Sequence, residues 1–324
     1  MKRKIESSGA PFSSCMDRFV TSYRDGISTE ELWDEFGKID AIDGIGVMVP
    51  LEFESVGYIK NRIKALGKEI STVCPDTYMN PILKDGMLMS RDPGLRRESV
   101  ALVRQAMDVC HELDGADILL WLAHDGYDYP FEDDYSRRMD FLMESLDEIC
   151  RYRKDVKVTI EYKAKEPRTY QYISNLGKSL FICERLGLEN LGVVVDIGHA
   201  LLAHENPAES IALAAKYGKL FHVHLNDNYR SWDDDLVMGS VHFWEVLECL
   251  WQMDKVGYNG WLNLDIWPTR IDGKGALLES IKRIRMFERL AATLPKEEIL
   301  RLQHENKTAE IMEILRKTCI KDEI

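Results

Sequence analysis

Short apolar runs alternate along this chain with longer stretches in which apolar residues recur every three or four positions, and the alternation repeats about eight times. Few folds accept such a pattern. The runs at Gly44–Val49, Glu69–Cys74, Ile118–Leu122, Val156–Glu161, Gly192–Asp196, Leu220–Leu225 and Gly260–Asp265 read as strands. An eighth is expected near the N-terminus, around Pro11–Cys15. Between them, Leu95–Leu113, Tyr135–Tyr152, Thr169–Leu186, Pro207–Tyr217 and His242–Val256 read as helices. In the first of these, Val100, Val103, Met107 and Cys110 fall on one face. Strands that alternate with helices build a parallel sheet, here expected to close into an α/β (β/α)8 TIM barrel. An open doubly wound sheet is the competitor, but no glycine-rich phosphate turn follows the first strand. A chain of 324 residues suits the barrel. Beyond Leu294 the pattern becomes a charged, weakly amphipathic helical tail containing Leu300, Ile311, Ile314 and Leu315. The chain therefore divides into a barrel, residues 1–294, and a C-terminal helical extension, residues 295–324. That tail either clamps a neighbouring subunit or packs on its own barrel.

The net charge of −13 and the lack of a basic run beyond the opening Lys2–Lys4 exclude a phosphate-backbone partner. The seven cysteines are scattered, without a Cys-x-x-Cys pair, and Cys110, Cys150, Cys183 and Cys249 fall in apolar periodic segments. Reduced thiols and a cytoplasmic location are expected. The N-terminus lacks the apolar stretch of a secretory leader, and no apolar run is long enough to span a bilayer, so no membrane partner is expected.

The chemistry sits at strand ends. Phe221–Leu236 reads FHVHLNDNYRSWDDDL: His224 ends an alternating apolar run, and Asp233 and Asp235 follow in a polar loop. Glu161 ends VTIE, Asp196 ends VVVD with His199 three residues on, Asp265 ends LNLD, and Trp121 closes ILLW. The C-terminal mouth of a barrel is where active sites form. Any one of these residues alone has a bland role, as a helix cap or a structural histidine. Four strand ends with a ligand-type side chain point instead to a metal, because buried carboxylates are costly unless paired or metal-bound. Carboxylates and two imidazoles without thiolate suit Mn²⁺ or Mg²⁺, with Co²⁺ as a third option. The candidates outnumber one ion's needs. One site would use Glu161, Asp196, His224 and Asp265; a second would use His199, Asp233 and Asp235, bridged by Asp196. In the acidic triplet, Asp233 and Asp235 face one side of an extended loop and Asp234 the other, unless the triplet is a solvated turn. Lys163, on the same face as Glu161, either reaches a substrate oxygen beside the metal or is a surface lysine paired with Glu166.

These residues, in this order and over nearly the whole chain, resemble the xylose isomerase family. NPILKDG at Asn80–Gly86, WLAHDG at Trp121–Gly126, EYKAKEPR at Glu161–Arg168, VVVDIGHA at Val193–Ala200, FHVHLND, WDDDL and LDIWPTR at Leu264–Arg270 are each similar to a family segment. The tyrosine after Glu161 and the histidine at 224 resemble the rhamnose isomerase branch. The resemblance implies that Glu161, Asp196, His224 and Asp265 hold a first ion and that Asp196, His199, Asp233 and Asp235 hold a second. It implies that Lys163 contacts the reacting sugar oxygens and that Trp121 is a stacking wall for a sugar's C–H face, with His199 beside the substrate. Departures accompany it. His224 and Asp196 replace the acidic residue and the bridging glutamate of xylose isomerases. The ring-opening histidine after the second strand is missing, where this chain reads GVMVPLEFES. The turn after Trp121 carries His124 and Asp125 in place of Arg–Glu.

His124 is thus a candidate acid or base, oriented by Asp125 or Asp128; alternatively it bonds sugar hydroxyls or caps a turn. Lys163, His124 and Asp235 are the candidate catalytic groups. The activity implied is aldose–ketose isomerisation of a monosaccharide or sugar derivative by a homodimer or homotetramer. The alternative is a C-glycoside deglycosidase subunit, a lyase on 3-keto glycosides that works with a small partner subunit. An epimerase would place two glutamates where this chain has Glu161 and Asp265. A trinuclear-zinc endonuclease would need a basic groove and more than eight histidines.

Overall fold

The computed structural model describes residues 2–50, 54–166 and 169–320. The PR of the EPR turn and residues 51–53 of the GVMVPLEFES segment lie outside the described residues, as do the last four residues of the tail. Among the described residues ten strands occur: β1 (Ile5–Ser7), β2 (Gly44–Val49), β3 (Glu69–Pro75), β4 (Asp117–Trp121), β5 (Gly126–Tyr127), β6 (Val158–Glu161), β7 (Tyr170–Gln171), β8 (Leu191–Asp196), β9 (Leu220–His224) and β10 (Leu262–Asn263). Eight close into a parallel barrel in the order β1-β10-β9-β8-β6-β4-β3-β2. β5 and β7 form a small antiparallel pair outside it. Around the barrel run α1 (Thr29–Gly37), α2 (Val56–Leu66), α3 (Pro93–Glu112), α4 (Tyr135–Tyr152), α5 (Leu176–Leu186), α6 (Ile197–Leu202), α7 (Pro207–Lys216), α8 (Phe243–Val256) and α9 (Gly273–Thr293). The tail supplies α10 (Lys296–His304) and α11 (Thr308–Cys319). Ile299 and Leu302 are buried, and Ile311, Ile314 and Leu315 pack half-buried against the same core. The tail thus lies on its own barrel.

Local chemistry sets the helix ends. Ser28 and Glu31 form a reciprocal capping box at the start of α1. Asp92 caps α3 ahead of Pro93 at its first position. Gly67, Gly187 and Gly257 end α2, α5 and α8 in the left-handed conformation, where a residue with a Cβ is strained. The apolar faces of these helices close over the strands; each buried Val, Leu or Ile contributes roughly 1.5–3 kcal/mol. Among the described residues no helix is long and apolar enough to cross a membrane, and all seven cysteines are free thiols.

Two expectations are corrected. The N-terminal strand is Ile5–Ser7, not Pro11–Cys15: Ala10–Phe12 is a 3₁₀ turn with proline near its start. The helix expected from Thr169 begins at Leu176, because Tyr170–Gln171 pairs with Gly126–Tyr127 and Asn175 caps the helix through a bond from Lys178 N.

The barrel interior is not wholly apolar. Glu6, Asp117 and His222 are buried within it. His222 Nδ1 lies 2.8 Å from Asp117 Oδ2, and Nε2 lies 3.3 Å from Glu6 Oε1. Burial alone would push His222 down, but Asp117 and Glu6 outweigh it and raise its pKa to about 9. A histidine raised on folding contributes stability that is complete below its unfolded value near 6.5 and is lost as pH rises through about 9. Urea denaturation across that window should show stability falling with pH, and His222→Gln should flatten the fall.

Candidate metal centre

Five neighbouring strands carry the candidate residues. Going round the barrel they are β4 with Trp121, β6 with Glu161, β8 with Asp196, β9 with His224, and β10 with Asp265 two residues past its end. Register aligns them: Trp121 sits opposite Glu161 and Asp196 opposite His224. A strand's side chains alternate faces, so each strand-end residue here directs its side chain to one mouth.

Glu161, Asp196, His224 and Asp265 converge there. One potential ligand atom from each lies within 4.8 Å of all the others. His224 Nδ1 is 2.9 Å from Glu161 Oε1, 3.2 Å from Asp265 Oδ2 and 3.7 Å from Asp196 Oδ2. Among the described residues this is the one such group of four. His199, Asp233 and Asp235 are close by but arranged differently. Asp233 Oδ2 takes both His199 Nε2, at 3.0 Å, and Lys163 Nζ, at 2.7 Å. Asp196 also caps α6, its Oδ1 accepting from His199 N at 2.7 Å. Asp235 adopts a left-handed φ of 46°, so the loop is not simply extended there; Asp234 turns back to accept from Tyr229 N.

Lys163 is buried rather than at the surface. Besides Asp233 it pairs with Glu166, and its Nζ lies 4.7 Å from the centre of the Trp121 ring. Trp121 in turn packs 5.0 Å from Tyr78. Asp125 holds the loop after β3, accepting from Met87 N and Met89 N, and burial raises its pKa to about 6 despite those bonds and Arg138. His124 stands apart from the group of four. Its Nε2 is 3.0 Å from the Tyr78 carbonyl, and it lines a polar cavity to which none of the four contributes.

Sequence reading missed Asn226. Its amide donates to Asp196 Oδ2 at 3.1 Å and to Asp235 Oδ1 at 3.4 Å, while its oxygen accepts from Gly198 N at 2.8 Å. Gly198 is needed at that approach, because a Cβ would collide with Asn226. The signal was available: Asn226 follows His224 by two, on the same face. Asp227 also went unremarked; it fixes the loop by accepting from Val241 N and His242 N.

The electrostatics test whether a cation fits. Five carboxylates (Glu161, Asp196, Asp233, Asp235 and Asp265) face three cationic groups, Lys163, His199 and His224. Burial raises Asp196 to about 6; His199 opposes this, and Asp233 and Glu161 add to it. Asp235 is raised well above the carboxylate range by burial, Asp233 and Asp265. Against burial, Lys163 and His199 hold Asp233 low, and His224 holds Asp265 low. Burial opposes but does not prevent the rise of His199 to about 9 beside Asp196 and Asp233, nor that of His224, well above its usual value, beside Glu161 and Asp265. Three buried atoms lack hydrogen-bond partners: His199 Nδ1, His224 Nε2 and Asp233 Oδ1. Excess buried negative charge with an unpartnered oxygen and imidazole nitrogens fits a divalent cation.

The comparisons agree with this architecture. The family described as xylose isomerase-like TIM barrel matches residues 37–287. Xylose isomerase from Thermus thermophilus is 26% identical over 219 residues, which is 66% of this chain and 57% of that enzyme's own length. A D-tagatose 3-epimerase-like protein superimposes with a TM-score of 0.70 at 21% identity, covering 89% of this chain and 98% of its own. A 3-keto-D-glucoside 4-epimerase from E. coli does so with a TM-score of 0.65 at 16% identity, covering 87% and 100%.

In the metal-free protein His224 holds a proton that an ion must displace. Mn²⁺ affinity should therefore rise with pH, and calorimetry in buffers of different ionisation heat should register proton release. His224→Ala should weaken Mn²⁺ by about 100-fold or more and abolish any metal-induced rise in Tm.

Proposed function

Because this chain belongs to the xylose isomerase-like TIM barrel family, we propose that it is a divalent-metal-dependent sugar isomerase. It would interconvert an aldose and a ketose by moving one hydrogen between neighbouring carbons, with no atom gained or lost. The observation that carries the reading is the convergence of Glu161, Asp196, His224 and Asp265 within 4.8 Å at the mouth, with the Lys163 ammonium at its edge. Those four would hold Mn²⁺ or Mg²⁺, with Co²⁺ as a further option, and Asp196, His199, Asp233 and Asp235 would serve a second ion. A divalent ion there supplies Lewis acidity that polarises a sugar carbonyl.

The chain's own residues do the rest. Lys163, fixed by Asp233 and Glu166, lies where its ammonium stabilises negative charge growing on a carbonyl oxygen. Asp235, to which the Asn226 amide donates at 3.4 Å, would carry the proton where no second ion occupies it. His199 positions a substrate oxygen, and Trp121 forms an apolar wall that keeps water from one side of the sugar. The substrate is a monosaccharide or sugar derivative, and a homo-oligomer is the assembly we favour.

One observation favours a second reading, epimerisation beside a ketose carbonyl. Asp233 pairs with Lys163 and His199, and one group of four is gathered among the described residues, which supports a reading with a single ion. One assay separates these chemistries. Nuclear magnetic resonance with Mn²⁺ follows a panel of free aldoses and ketoses, plus 3-keto C-glucosides, with chelator controls. Carbonyl migration supports isomerase, inversion at one carbon supports epimerase, and aglycone release supports deglycosidase. Asp196→Asn should reduce turnover to background, and full retention would place the site elsewhere. Lys163→Met should lower kcat by roughly 10²–10³-fold.

A further inference from the structure

A second built cavity lies at the same end of the barrel, between the loops that follow β3, β4 and β6. Its volume is about 290 Å³, at the small end of ligand pockets, which start near ~300 Å³. Tyr78 touches both regions, with its ring against Trp121 and its carbonyl bonded to His124. Because a carbonyl only accepts, His124 Nε2 carries the hydrogen there, and Nδ1 is left for another partner.

The lining charges decide what the cavity takes. Lys84, Arg91 and Arg138 supply donors; Asp85, Asp128, Glu132 and Asp133 supply acceptors. Two of the cations are already committed. Arg91 Nε bonds Asp133 Oδ1 at 3.0 Å, and Arg138 Nη1 lies 3.6 Å from Asp133 Oδ2. Both share that one carboxylate, so three cations face four carboxylates and the lining is close to charge balance with a slight negative excess, which disfavours phosphate and other anions. The lining thus offers donors and acceptors in nearly equal number. A neutral ring bearing many hydroxyls satisfies both kinds of group, since each hydroxyl donates and accepts.

We propose that this cavity binds a neutral, hydroxyl-rich saccharide ring, separate from the one that would react at the carboxylate group. His124 and Lys84 would bond its hydroxyl oxygens, and Asp85 and Asp128 would accept its hydroxyl hydrogens. The site does not depend on metal or on turnover, so its test stands clear of the proposed reaction.

The test uses the full chain after chelator treatment. Saturation-transfer nuclear magnetic resonance and calorimetry measure binding of D-glucose, D-galactose, cellobiose, maltose and inorganic phosphate. Lys84→Ala and Asp85→Ala are compared with the parent; both side chains are exposed, so folding is not at stake. The expected result is binding of at least one neutral saccharide, weakened roughly tenfold or more by each substitution, a loss of about 1.4 kcal/mol, with no phosphate binding. Phosphate binding in place of saccharide, saccharide binding that neither substitution changes, or no saccharide binding at all would overturn the proposal.

Discussion

Everything at the mouth of this barrel follows from like charges forced together. Glu161, Asp196, Asp233, Asp235 and Asp265 share a small, largely water-excluded space, and removing each carboxylate from water costs several kcal/mol. Lys163, His199 and His224 offset part of that cost, as the low Asp233 and Asp265 show. They do not offset all of it, as the raised Asp196 and Asp235 show. The chain carries this residual negative potential in its resting fold. A cation relieves it and a neutral side chain would not, which is why the arrangement reads as a binding site rather than as a stability device.

The barrel makes such crowding tolerable. Trp121, Glu161, Asp196, His224 and Asp265 come from the ends of five consecutive strands, β4, β6, β8, β9 and β10, so hydrogen-bonded registers set their spacing. Behind them, the Glu6–His222–Asp117 contacts tie β1, β9 and β4 together across the interior. Asn226 and the cap that Asp196 makes on α6 keep the carboxylates from relaxing apart. Strain that is spread over a closed sheet is harder to release than strain in a loop. The loops after β3 and β4 shape a polar surface of their own, held by Asp125 and Asp133.

Much of the fold was legible because apolar periodicity reports it directly. Seven barrel strands were expected close to where they occur, and Gly44–Val49 and Tyr135–Tyr152 coincide with their elements. The missed strand, Ile5–Ser7, shows the limit of that signal. Two of its three residues are polar, and they are buried in the barrel interior, so no apolar run marks it. In the segment expected instead, Phe12 and Cys15 are buried beside a turn. Within the site, Glu161, Asp196, His224 and Asp265 stood out because ligand-type side chains ending apolar strands are unusual. Asn226 did not, since an amide in a polar loop is ordinary until its partners are known.

By itself the sequence determined the fold class, the order of its elements and the strand ends that carry ligand-type side chains, because those depend on residue type and local spacing. It did not determine which of those side chains meet. Tertiary structure alone gathered four of them around one point and gave Asp233 to Lys163 and His199. It also turned His124 toward a separate polar cavity. The physical reason is range: a strand's periodicity acts over a few residues, while the energy of a buried charge depends on every charge that folding brings within a few ångströms.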